Sequence, residues 1–429
     1  MRQPVPPSRS GSVLIGVLWC VVLLAVLVVG LLHTTRIDLM AGKYHSDRIQ
    51  AHYLALAGIE KAKALLYQDA LDRGRAGVHH GAGLYNSPEQ FRDVSLGRGQ
   101  FRVVRAGSPE EGGGVVYGVS DEEGRLNINF ADVNQLTNIL ELTSDIAAAI
   151  ADWRDSDSTV SQGGAEAPYY ASIQPPYTPR NGPFQTLREL LMVRGVSTEQ
   201  LNRPAPGGEE EALSDSGWSS LLTAHSSVEN VDASGAARIN VQNATVGALT
   251  GVRGITRPIA DAIIAHRGAN QIENLVDLLE VRSTPPNGQN RNPAQPTGHA
   301  LIDQRLFGDI ADHLTVEDRS DLSGGINVNS AGVEVLMCLP GLTRPLAQAV
   351  VTHRKANGFY PSVAALLEVP GLTREILKPM LPLVTTRSET FRILSEGRIG
   401  ARGTRQRIEA VVHVGLKSVK TLAYREDDL

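Results

Sequence analysis

The sequence predicts an α+β protein: a long apolar N-terminal helix, then an antiparallel sheet interrupted by a large all-α insertion of helix-hairpin-helix-like units. Three observations carry this. Val13–Leu32 is an uncharged apolar run of about twenty residues, the span of a bilayer core. Short runs rich in β-branched residues occur on both sides of a helical block. Within that block one pattern recurs three times.

The apolar run reads as a membrane helix because a helix satisfies its own backbone polar groups in lipid. It runs on into a second helical stretch ending in Tyr53-Leu54-Ala55-Leu56-Ala57-Gly58-Ile59-Glu60. A cleaved secretory signal would want small residues after the run, where Leu31-Leu32-His33-Thr34-Thr35 stands. A lipid anchor at Cys20 is disfavoured by Trp19 before it. Arg2 and Arg9 precede the helix with no acid nearby, which favours a cytoplasmic N-terminus, although Arg36, Lys43 and Arg48 follow it together with Asp38 and Asp47.

Strand runs before the block are Phe101–Val104 and Val115–Val119; those after it are Phe391–Leu394 and Arg407–Val414, with a last strand at Leu416–Ala423. The repeats begin Leu126-Asn127-Ile128-Asn129, Ile239-Asn240-Val241-Gln242 and Ile326-Asn327-Val328-Asn329. They lead at equal separation to Arg154, Arg267 and Arg354. A second match follows each, opened by Thr186, Asn274 or Ser362 as N-cap and carrying paired leucines on one face. In the hairpin Leu339-Pro340-Gly341-Leu342-Thr343-Arg344-Pro345, Gly341 permits the turn and Pro345 is tolerated in the next helix's first turn. The repeated Arg residues are expected to tie helices together through carbonyls or carboxylates. Asn202–Asp215 and Ser283–Gly298 read as surface loops.

At 429 residues the chain suggests two or three units beyond the anchor. The net charge of −5 argues against a general nucleic-acid binder. Cys20 and Cys338 are far apart, so no internal disulfide is expected. No phosphate loop, H-E-x-x-H helix or nucleophile elbow is present, and the chain reads as no enzyme. Only the first unit carries an extra segment between its halves, with Asp152, Asp155, Asp157, Gly163-Gly164 and Glu166. Such a segment is either a solvated acidic loop or a site for a hard cation, with Asp155, Asp157 and Glu166 as oxygen ligands. No Cys or suitably spaced His joins them, which argues against zinc.

The basic leader, Gly11 and the apolar helix together resemble a type IV pilin-like protein. The resemblance implies cleavage by a prepilin peptidase between Gly11 and Ser12, with methylation of the new terminus. The fifth mature position, usually Glu in that family, is Gly16, which resembles the minor pseudopilin K family of type II secretion. The segment from Asp152-Trp153-Arg154-Asp155 through Gly163-Gly164-Ala165-Glu166 and Tyr169-Tyr170 to Asn181-Gly182-Pro183-Phe184 resembles the same family. What this implies is a pilin-like α/β domain split by a helical insertion that holds calcium, through Asp155, Asp157 and Glu166, with Asp152 as a further candidate.

The implied organisation is a leader at 1–11, a transmembrane helix at 12–32 and its amphipathic continuation at 33–75. The α/β domain then occupies 76–130 and 388–429 around an insertion at 131–387. The implied function is non-enzymatic: capping the tip of the pseudopilus and helping to initiate its assembly for protein export across the outer membrane. The protein would be single-pass in the inner membrane with its C-terminal domain in the periplasm. Its partners would be other minor pseudopilins and the prepilin peptidase, with a secreted substrate as a further candidate. A hairpin unit around Ala236–Val281 is additional to the usual member. The alternative is a membrane-anchored helix-hairpin-helix DNA receptor resembling competence proteins. Thr143, Thr256 and Thr343 stand where such hairpins carry their second Gly, and no basic cluster for phosphates is evident.

Overall fold

The computed structural model describes residues 10–79, 83–202, 217–283, 298–400 and 403–426. The expected leader up to residue 9, and nearly all of the two surface loops, lie outside the described residues.

Helix α1 (Ser10–Ala76) is unbroken over 67 residues, about 100 Å at 1.5 Å per residue. Its large apolar side chains from Val13 to Tyr44 are exposed. Farther along, Ala51, Ala55, Ile59, Ala62, Leu66 and Ala70 form one buried stripe. Their three- and four-residue spacing keeps them on a single helix face. That face packs on the sheet. Two glycines permit the close approach: a Cβ at Gly397 would lie 2.0 Å from the Ala51 carbonyl oxygen, and one at Gly58 would lie 2.1 Å from Ser395 Oγ.

Before the block the chain forms β1 (Val94–Leu96), β2 (Gly99–Ala106), β3 (Val115–Val116) and β4 (Ser120–Asp121). The block contains six two-residue strands: β5 (Leu126–Asn127), β6 (Leu222–Thr223), β8 (Ile239–Asn240), β9 (Leu314–Thr315), β11 (Ile326–Asn327) and β12 (Val384–Thr385). Between them run β7 (Ser227–Glu229) and β10 (Asp321–Ser323). After it come β13 (Thr390–Ile399), β14 (Arg405–Val414) and β15 (Val419–Arg425). The main sheet has the order β1-β2-β13-β14-β15, all antiparallel, with β3 on β2 and β4 on β13. The expected strand Val115–Val119 is shorter than read, because the chain turns to bond the loop before β1: Val119 N donates to the Leu84 carbonyl at 3.0 Å. The last strand starts at Val419 rather than Leu416, since Gly415 closes a turn with Ser418.

The direction of β13 places the block. Its Gly397 lies against Ala51, while Phe391 at the other end lines a small cavity with Leu66, Asp69 and Arg73 of α1. The helical block therefore joins the sheet at the end farthest from the apolar half of α1.

Each unit of the block opens and closes with one strand pair. β5 pairs with β6, β8 with β9 and β11 with β12, all in parallel. The opening Asn does two jobs in every unit. Its Oδ1 accepts the backbone N–H two residues on, at 2.9 Å in each case. Its Nδ2 donates across the closure, from Asn127 to Ser226 Oγ, from Asn240 to Asp318 Oδ1 and from Asn327 to Ser388 Oγ. The repeated Arg bonds carbonyls at the head of its own unit: Arg154 with Ile128 and Ala131, Arg267 with Val241, and Arg354 with Val328 and Ala331.

The second halves are 3₁₀ rather than α-helical, at Leu187–Met192, Leu275–Glu280 and Val363–Glu368. Leu190, Leu278 and Leu366 are fully buried, while their following leucines differ: Leu191 is 39% exposed and Leu279 is buried. All three units share one continuous apolar core.

Candidate functional site

The first unit's extra segment is built around the end of the helix Ser144–Arg154. Thr143 caps that helix at its start, and Asp155 leaves it in an extended conformation. Trp153 beside Asp155 is buried in an aromatic box, with ring centroids 5.2 Å from Tyr170 and 6.4 Å from Phe184. Glu166 precedes the short helix Ala167–Ser172. These two anchors bring Asp155, Asp157 and Glu166 together, with one carboxylate oxygen from each lying within 4.8 Å of the others.

The cluster lacks internal compensation. Glu166 is 1% exposed, and both of its carboxylate oxygens, with Asp155 Oδ1, are buried without a hydrogen-bond donor. A buried carboxylate in that state is costly. Burial pushes the Asp155 and Glu166 carboxyls above their ordinary range, and the neighbouring carboxylates push the same way. Asp157 is exposed and accepts from Thr159 N at 2.7 Å. Three oxygen donors with no nitrogen or sulfur among them suit a hard divalent cation.

Asp152, the further candidate, does not join the three. It is fully buried, and its carboxylate accepts from Ser161 N at 3.2 Å. It also packs on Gly164, where a Cβ would stand 2.0 Å from Asp152 Oδ2. Its work is to shape the loop. Two further side chains hold the loop: Arg194, which did not stand out in the sequence, and Asn181, which the sequence marked only as part of the family-like segment. Arg194 donates to the Gly163 carbonyl at 2.6 Å and lies over the Tyr169 ring; Asn181 donates to the Asp157 carbonyl at 2.7 Å. The Asn181-Gly182 turn dipeptide was the available signal for the second. At the other end of the molecule, Gly11 and Ser12 lie in the first turn of α1.

The family model of the type II secretion system protein K matches residues 120–206, the stretch that holds the whole cluster. This stretch of the chain is similar to the protein K family of type II secretion. The match falls on the Asp152–Phe184 segment, from which part of the resemblance was read. A helix-hairpin-helix family model matches the third unit at residues 322–385. Protein K of Pectobacterium carotovorum is 26% identical over 204 residues, covering 46% of this chain and 62% of the relative. Protein K of Aeromonas hydrophila is 46% identical over 59 residues, 14% of this chain and 18% of the relative. A mouse endonuclease/exonuclease/phosphatase family domain-containing protein 1 is 27% identical over 152 residues, 33% of this chain. The chain spans about a quarter of that mammalian relative's length, 26%. Among solved structures, the GspK-GspI-GspJ complex of the enterotoxigenic Escherichia coli type 2 secretion system matches with 14% identity and a TM-score of 0.42. That match covers 91% of this chain and 100% of the other.

Proposed function

We propose that this chain is a protein K of type II secretion, a non-enzymatic minor pseudopilin that caps the tip of the pseudopilus and helps to start its assembly for export across the outer membrane. One observation carries the reading: the helical block leaves the sheet at the end of β13 farthest from the apolar half of α1. A wide head there extends a fibre whose helices pack side by side, and it has no place within the shaft. In this reading α1 is held in the inner membrane and the head lies in the periplasm. Prepilin peptidase cuts after Gly11, and Ser12 becomes the methylated terminus. The neighbours are other minor pseudopilins, with a secreted substrate as a candidate guest of the exposed head.

Asp155, Asp157 and Glu166 fit calcium, because the orphaned oxygens of Asp155 and Glu166 are what a hard cation satisfies and Asp157 brings a third carboxylate beside them. Bound there, the ion would neutralise the cluster and brace the loop that Asn181 and Arg194 hold, with no chemistry required of it. The reading is tested by co-expressing the full chain with a prepilin peptidase and the other minor pseudopilins. N-terminal sequencing is expected to start at Ser12 and the subunits to co-purify. An uncut N-terminus, or a chain that purifies alone, would overturn it.

A further inference from the structure

Three consecutive carboxylates, Asp121, Glu122 and Glu123, are buried where β4 hands the chain to the helical block, none more than 8% exposed. Acidic side chains are seldom buried unless paired, and here each is held by a different part of the molecule. Asp121 Oδ2 accepts from Asn327 Nδ2 at 3.1 Å, from Ser388 Oγ at 2.5 Å and from Ser330 Oγ, all at the opening and closure of the third unit. Glu122 meets Arg392 of β13 at 3.0 Å, Arg125 at 3.2 Å and the hydroxyl of Thr223, which closes the first unit, at 2.5 Å. Glu123 accepts from Ser227 N of β7 at 3.1 Å and from Thr390 N of β13 at 3.0 Å. Its backbone carbonyl also takes Asn327 N at 2.7 Å.

Two further contacts run beside this hub. His79, just after α1, pairs with Asp312, which closes the second unit and also binds Arg238 at 2.8 Å. Arg387 pairs with Glu389 and donates to the Val231 carbonyl at 3.0 Å. Burial pushes all three acids of the hub upward, and only at Glu122 do Arg392 and Arg125 outweigh it.

We propose that the Asp121-Glu122-Glu123 triplet is a rigid coupling: it locks the helical block to the sheet so that a tilt or pull on the head reaches α1 undamped. Two covalent crossings alone, one out of β4 and one into β13, would make a hinge. The hub removes it by bonding both ends of the third unit, the end of the first and the strand between the first and second, to one short stretch of chain. Buried hydrogen bonds resist such bending because breaking one leaves a desolvated polar group without its partner, and at Glu122 a buried charge. The inference rests on the contacts alone and stands whether or not the head crowns a fibre.

The test uses the full chain in detergent, with Cys20→Ser and spin labels introduced by Leu96→Cys on β1 and Arg257→Cys in the second unit. Pulsed electron resonance reads the distance distribution between them. The parent is expected to give a narrow distribution, and Asp121→Ala with Glu122→Ala at least a twofold broader one at an unchanged helical circular dichroism spectrum. If that pair fails to fold, Glu122→Gln with Thr223→Val decides in its place, again with broadening expected. A distribution of parental width in the folded variant would overturn the proposal, as would a parent that is already broad.

Discussion

Removing the charge of Glu166 gives a sharp test of the acidic cluster. In the metal-free protein, Glu166→Gln relieves repulsion among three carboxylates whose oxygens lie within 4.8 Å, so the variant is expected to be at least as stable as the parent. With calcium the order reverses. A ligand that binds only the folded state stabilises it by about 2.7 kcal/mol at a hundredfold excess over its Kd. For a head of this size that corresponds to a rise in melting temperature of about 4 °C. Glu166→Gln is expected to lose most of that rise. The assay is a thermal melt of the full chain in detergent, in calcium, in magnesium and in chelator. Trp153 fluorescence is a local reporter, because its ring sits 5.2 Å from Tyr170 in the box beside the cluster. Equal melting temperatures for the parent in calcium and chelator would refute the reasoning, as would an undiminished calcium shift in Glu166→Gln.

Other outcomes follow from the packing and the titrating groups. Gly397→Ala forces a methyl against the Ala51 carbonyl and should cost about 1–3 kcal/mol in denaturant unfolding, whereas Gly30→Ala meets nothing within 4 Å and should leave the head's stability unchanged. Glu141 holds a left-handed φ of 66° where the equivalent hairpins have Gly254 and Gly341, so Glu141→Gly should stabilise the first unit by roughly 0.5–1 kcal/mol, seen as a higher urea midpoint. Burial would raise the Glu111 carboxyl, but the bonds from Arg105 and Ser108 outweigh it and hold it at about 2. Its contribution is therefore complete above the ordinary value of 4.5 and fades as pH falls toward 2. The stability gap between the parent and Glu111→Gln should close over that window in an acid titration.

Much of the architecture was legible because its signals are local and repeated. The apolar run and the stripe from Ala51 to Ala70 follow helical spacing, and the Asn and Arg of each unit recur at fixed separation. The Arg residues do bind carbonyls, one of the two options open to them. What stayed hidden depends on partners distant in sequence. Asn127, Asn240 and Asn327 marked the start of each repeat, but the sequence could not show that each bridges to a residue just past the strand that closes its unit. The strand pairs that close the units are two residues long, too short for any periodicity to show. In the acidic segment, residue type pointed to Asp155, Asp157 and Glu166 and kept Asp152 as a further candidate, because its full burial against Ser161 N and Gly164 is set by the folded loop. The burial of Asp121, Glu122 and Glu123 was equally invisible, since it depends on Arg392, Thr223 and Asn327, which arrive from elsewhere in the chain.

The position of the head on assembled fibres tests the account most directly. Gold-labelled antibody against residues 236–281, viewed by electron microscopy on pseudopili drawn from cells, should mark one end of each fibre and no other point. Label recurring along the shaft would contradict a head that can only sit beyond the last turn of the packed helices.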